Sequence, residues 1–87
     1  MTMKTPVHPG EILREDFLPE YSLTSGSLAR ALRVPRGRIE KLVREKRAVT
    51  ADTAVRLARY FNTSPQFWMN MQANFDLAQA MQRHQPD

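Results

Sequence analysis

The chain has 87 residues, 41% hydrophobic and 25% charged, the size and composition of one small globular domain. It has no cysteine, which excludes disulfides, thiolate zinc sites and cysteine nucleophiles. No apolar run approaches the roughly 18 residues that span a bilayer, and Met1 to Gly10 lacks the apolar core of a signal peptide, so a cytoplasmic protein without a membrane partner is expected.

Charge is unevenly spread. The total is +4 and the isoelectric point about 10.1, but residues 1–23 carry −2, residues 24–60 carry +7 and residues 61–87 carry −1. A concentrated basic stripe suits a phosphate backbone, and equally a solvated helix surface. Pattern has to decide.

Met1 to Val7 reads as a flexible arm and residues 84–87 as a tail, which leaves 8–83 as the folded domain. His8-Pro9-Gly10-Glu11 opens a first helix, with Pro9 at a favoured first position and Glu11 where a capping carboxylate belongs. Ile12, Leu13, Phe17 and Leu18 give it an apolar side and Pro19 is expected to end it. Thr24 is the N-cap expected for a second helix, Ser25 to Leu32. A third starts at Pro35 and runs to about Arg44. Thr50 caps a fourth, in which Ala54, Leu57, Ala58 and Phe61 recur at helical spacing. Ser64-Pro65 starts a fifth and longest helix, to about Arg83. No stretch alternates with period two, so the expectation is an all-α domain of five helices.

Within the basic segment, Leu28 and Leu32 lie one turn apart on the second helix, and Ile39 and Leu42 do the same on the third. Val34 falls in the turn, where it can plug the junction, and Ala29 is small where the two helices must cross. This is the pattern of a DNA-binding helix-turn-helix, with 25–32 as second helix and 35–44 as recognition helix. Ile39 and Leu42 occupy one side of that helix, which leaves Arg36, Gly37, Glu40, Lys41 and Arg44 outward or near its N-terminal end, together with Arg38. A major groove admits one helix, and Arg or Lys can bond the guanine edge there. Glu40 can accept from a cytosine amine or pair with Arg44 four residues on; the pair is the expected role. Lys46 and Arg47 are placed for phosphates, as are Ser25, Gly26 and Ser27 at the N-terminus of the second helix. The same apolar pattern would also serve a plain helical hairpin.

The stretches His8-Pro9-Gly10-Glu11-Ile12-Leu13-Arg14-Glu15-Asp16-Phe17-Leu18, Thr50-Ala51-Asp52-Thr53-Ala54-Val55-Arg56-Leu57-Ala58-Arg59-Tyr60-Phe61 and Ser64-Pro65-Gln66-Phe67-Trp68-Met69-Asn70-Met71-Gln72 resemble the HigA family of antitoxins. These belong to the Xre-type, lambda-repressor-like helix-turn-helix superfamily. The resemblance runs from about Pro6 to Met81. It implies a repressor that dimerises on a palindromic operator in its own promoter and neutralises a HigB-type ribonuclease toxin. A stand-alone Xre-type regulator without a toxin is the alternative, and a protein-binding helical adaptor a further one. Arg33 stands where the superfamily usually has a turn glycine, so a left-handed arginine is expected. Arg44-Glu45 replaces a frequent Asn-Gly, which leaves the third helix free to run further. Gly26 replaces a usual Gln or Thr, so any phosphate contact there would come from the backbone.

On the fifth helix Phe67, Trp68, Met71, Phe75, Ala78 and Met81 fall in one sector and are expected in the core. Met69, Ala73, Leu77 and Ala80 form a second stripe, the candidate dimer surface. Little chain is left outside the helices to wrap a toxin, so a toxin would dock on folded surface. The acidic first helix, through Glu11, Glu15, Asp16 and Glu20, suits a basic ribonuclease; the plainer role of these carboxylates is solvation. No catalytic constellation stands out. His8 and His84 lie near opposite ends, no metal-ligand spacing occurs, and Glu11 and Glu15 share a face where they can serve the helix dipole. No enzyme, cofactor or metal is expected.

Overall fold

The computed structural model describes residues 6–84. Most of the expected arm (1–7) and tail (84–87) lies outside the described residues. Five helices and no strand are present among the described residues. α1 is built from Pro9–Ile12, a π-helical stretch Leu13–Phe17, and Leu18–Glu20; α2 is Ser25–Leu32, α3 Arg36–Val43, α4 Ala51–Phe61 and α5 Pro65–Arg83.

α1 departs from expectation at both ends. Its cap is the His8 side chain, whose Nδ1 accepts the Gly10 amide at 2.9 Å, rather than the Glu11 carboxylate. Pro19 does not stop the helix. In regular α geometry its ring would strike the carbonyl four residues back, and it offers no amide. The ladder widens just ahead of it, with the Leu18 amide donating to the Leu13 carbonyl five residues earlier, and the chain stays helical to Glu20. The Thr24 cap is as expected: Thr24 and Ser27 form a reciprocal capping box at 2.9–3.0 Å.

Four helices end the same way, each on a left-handed residue followed by an amide that reaches back five residues. The left-handed residues are Ser22, Arg33, Glu45 and Asn62. The amides of Leu23, Val34, Lys46 and Thr63 bond the carbonyls of Leu18, Ala29, Lys41 and Ala58 at 2.8–3.0 Å. Arg33 adopts φ 61° as expected. The third helix, expected over 35–44, is shorter: Pro35 is its N-cap, Val43 its last residue, and the left-handed Glu45 prevents extension.

The core joins Leu13 and Leu18 of α1, Leu28, Ala29 and Leu32 of α2, Ile39, Leu42 and Val43 of α3, Val49, then Ala54, Leu57, Ala58 and Phe61 of α4, and Trp68 of α5. Val34 packs against it from the turn. α1 lies directly on the end of α3: a Cβ at Gly10 would collide with the Leu42 carbonyl oxygen, so only glycine fits that crossing. On α5 the expected core sector is half right. Trp68 is fully buried and its Nε1 donates to Thr63 Oγ1 at 2.8 Å, while Met71 is partly buried. Phe67 stays at the rim, edge-on to Trp68 but exposed, and Met81 is exposed because α5 has left the core by that point.

Candidate nucleic-acid interface

The helix-turn-helix is α2 and α3. Ile39 and Leu42 are buried, and Arg36, Gly37, Lys41 and Arg44 are exposed on the opposite side of the third helix, with Lys46 and Arg47 in the loop beyond it. Lys41, Arg44, Lys46 and Arg47 have no ion-pair partner among the described residues, so four cations remain free on this side.

Arg36, Arg38 and Arg56 are engaged. Arg36 Nε donates to Glu40 Oε2 at 2.7 Å. Glu40 therefore pairs backward with Arg36, not forward with Arg44 as expected. Arg36 also lies over Gly26, where an added Cβ would meet its Nε at 3.4 Å, an ordinary van der Waals contact. Arg38 turns toward α4 and donates to Asp52 Oδ2 at 2.8 Å, which also accepts from Arg56 Nε at 3.0 Å. These two guanidinium groups, Arg56 first, hold the Asp52 carboxyl below its usual range. Arg56 further donates to the Leu32 carbonyl at 2.8 Å, satisfying the end of α2. Arg33, Arg56 and Arg59 line a cleft with Tyr60 at that end. The +7 segment thus has two parts, and sequence position alone could not separate them.

At the N-terminus of α2, the Ser27 hydroxyl and amide are consumed by the capping box. The Ser25 and Gly26 amides have no protein acceptor among the described residues and point with the positive end of the helix dipole.

Two contacts that sequence reasoning missed fix the far end of α3. Arg14 of α1 donates to the Val43 carbonyl and to Glu45 Oε2 at 3.3 Å, while its Nε donates to Glu15 at 2.9 Å. Gln72 of α5, only 6% exposed, accepts the Val49 amide at 2.8 Å. A polar residue in the buried sector of α5 is the one sequence signal for it. His8 is buried beside this junction, its ring edge-on to Phe75 at 4.9 Å. Burial pushes its imidazole below the ordinary value, outweighing the nearby carboxylates of Glu45 and Asp76.

The candidate dimer stripe is on the surface: Met69 and Leu77 are 37% and 59% exposed, Ala73 is exposed and Ala80 half-buried. On α1, Glu15, Asp16 and Glu20 are exposed and Glu11 half-buried.

A bihelical reading head with its second helix free of the core on one side defines a helix-turn-helix protein of the DNA-binding type. The Helix-turn-helix family matches residues 13–68. Virulence-associated protein I of Dichelobacter nodosus is 52% identical over 79 residues, covering 91% of this chain and 73% of that protein. Among solved structures, PA4674 of Pseudomonas aeruginosa in complex with its 28-bp operator DNA superposes with a TM-score of 0.88 at 51% identity, covering 90% of this chain and 86% of that one. Pseudomonas aeruginosa antitoxin HigA with the higBA promoter does so at 0.88 and 46%, covering 94% and 96%. The chain belongs to the Helix-turn-helix family and, within it, to the HigA antitoxins.

Proposed function

We propose that this chain is an operator-binding repressor and the antitoxin of a HigBA-type module, working as a homodimer in the cytoplasm by binding rather than catalysis. The observation that carries the DNA part is the reading head itself, with Lys41, Arg44, Lys46 and Arg47 exposed and free of ion pairs on the side of α3 that faces away from the core. Residues 8–83 form the DNA-binding domain. Arg36, Gly37, Glu40 and Lys41 are assigned to the major groove, with Arg44, Lys46, Arg47 and the free amides of Ser25 and Gly26 toward phosphates; Ser27, whose amide is held by Thr24, and Arg38, paired with Asp52, support the elements that carry them. Similar proteins solved with operator or promoter DNA support the reading. Met69, Ala73, Leu77 and Ala80 serve the twofold contact, which must space two recognition helices about 34 Å apart. Glu11, Glu15, Asp16 and Glu20 serve a basic toxin.

Gel shifts on a duplex from the chain's own upstream region, run across a salt series, test the DNA part. Log affinity should fall steeply and linearly with log salt. Affinity indifferent to salt would overturn it. Light scattering of Leu77→Arg tests the dimer, and coexpression of Glu15→Lys/Asp16→Lys with the neighbouring toxin frame tests the acidic helix. Loss of toxin capture with operator binding retained is expected.

A further inference from the structure

The loop from Glu45 to Thr50 carries two of the four free cations, Lys46 and Arg47, and has to present them in a fixed place to be useful. Its first half is fixed locally, by the left-handed Glu45 and the Lys46 amide on the Lys41 carbonyl at 2.8 Å. Its second half is anchored by Val49, which is 3% exposed. Val49 lies outside every helix, so its buried amide has no partner in a backbone ladder, and an orphaned buried amide is costly. The partner is Gln72 Oε1, from a helix 23 residues further on, at 2.8 Å.

The Gln72 amide is itself oriented. Its Nε2 donates to Asp76 Oδ1 at 2.9 Å, one turn along α5. A flipped amide would set its NH₂ against the Val49 N–H and its oxygen against the Asp76 carboxylate, two repulsions in place of two hydrogen bonds. Asp76 thereby selects the face that Gln72 turns to the loop. Packing alone would accept a leucine or methionine at position 72. The polar amide answers to Val49 on one side and to Asp76 on the other.

We propose that Gln72, oriented by Asp76, is a positioning residue for operator binding: it touches no DNA, and it fixes the loop that places Lys46 and Arg47 on the phosphates. This role rests on the DNA-binding reading above. It also ties the phosphate-binding loop to the helix assigned to the dimer contact.

The test uses the full chain and a duplex from its own upstream region. Gln72→Leu keeps the volume and removes the acceptor. Operator affinity should fall roughly tenfold, and the slope of log affinity against log salt should flatten by about two, because Lys46 and Arg47 no longer neutralise their two phosphates. In a Lys46→Ala/Arg47→Ala background the same change should cost nothing further, because the residues it positions are gone. The double variant Gln72→Glu/Asp76→Asn reverses the polarity of the pair without changing the net charge: the new carboxylate accepts the Val49 amide and the new carboxamide donates to it. Affinity and slope should return. Asp76→Ala, at an exposed site, guards against a misfolded Gln72 variant and should weaken binding although it removes a negative charge. Wild-type affinity in Gln72→Leu, or an undiminished loss in the Lys46→Ala/Arg47→Ala background, would overturn the positioning role alone. Absence of salt-dependent binding by the unaltered protein would overturn the DNA reading and this role with it.

Discussion

The two helices with the most to do are anchored in opposite ways. α3 has eight residues, and its C-terminal end is gripped from three sides, by Gly10 against the Leu42 carbonyl, Arg14 on the Val43 carbonyl and Gln72 on the loop that follows. α5 has nineteen residues and buries only Trp68 and Gln72, both in its first half. Beyond them Leu77 and Met81 stand 59% and 65% exposed. The first helix is set before it meets a ligand, so binding does not have to order it. The second carries apolar surface that its own subunit leaves uncovered.

The contrast is sharpest in side-chain truncation. Trp68→Ala should lose about 3–5 kcal/mol of unfolding free energy, since it empties the centre where α1, α4 and α5 meet. Leu77→Ala on the same helix should change the stability of the isolated subunit by less than about 0.5 kcal/mol. Denaturant titrations at low protein concentration would check both; equal losses would mean that the outer half of α5 packs on its own subunit.

The grip on α3 breaks most directly at Gly10. With a backbone carbonyl oxygen in the space the added Cβ would need, Gly10→Ala forces α1 and α3 apart, and a cost of about 3 kcal/mol is expected. Thermal unfolding followed by circular dichroism reads it. A variant as stable as the parent would mean that the crossing yields without loss.

These contrasts also mark what the sequence could and could not tell. The cap residues Thr24, Thr50 and Ser64 are local, and each starts its helix where expected. The buried faces of α2, α3 and α4 follow from spacing, and all of Leu28, Leu32, Ile39, Leu42, Leu57 and Phe61 are in the core. The departures come from a local competition or a tertiary fact. Pro19 reads as a stop because nothing in the sequence announces a π-turn that absorbs it. Glu40 has two arginines at equal spacing, and spacing alone could not say that it meets Arg36, which also packs over Gly26 of α2. Met81 lies in the right sector of a helix that has run out of core to pack against. Gly10 and Gln72 act on Leu42 and Val49, far along the chain, and such contacts leave no periodicity to read.

A smaller effect is expected where α2 hands over to α3. Arg33 is held at φ 61°, a conformation that costs a non-glycine residue about 1–2 kcal/mol. Arg33→Gly removes that cost but gives the unfolded chain about 0.4–1 kcal/mol more entropy to lose. A net gain of about 0.5–1 kcal/mol should appear as a melting temperature higher by several degrees. A lower melting temperature would show that the arginine side chain contributes more, in the cleft with Arg56 and Arg59, than its backbone costs.

The smallest effect lies at the joint between the two regions. His8 caps α1 through Nδ1 and meets Phe75 where α5 leaves the core. Its lone pair accepts the Gly10 amide, so protonating Nδ1 would break the cap, and burial already disfavours the charged ring. With the folded-state pKa below the unfolded value near 6.5, the unfolded chain binds the proton more readily. Stability is then full above about pH 6.5 and declines as pH falls from there through the folded-state value. His8→Asn keeps a capping oxygen without the titration. Denaturation midpoints between about pH 8 and pH 5 should slope downward for the parent and stay flat for the variant. Parallel curves would remove His8 as the source, and the link between the α1 cap and α5 would then carry no charge of its own.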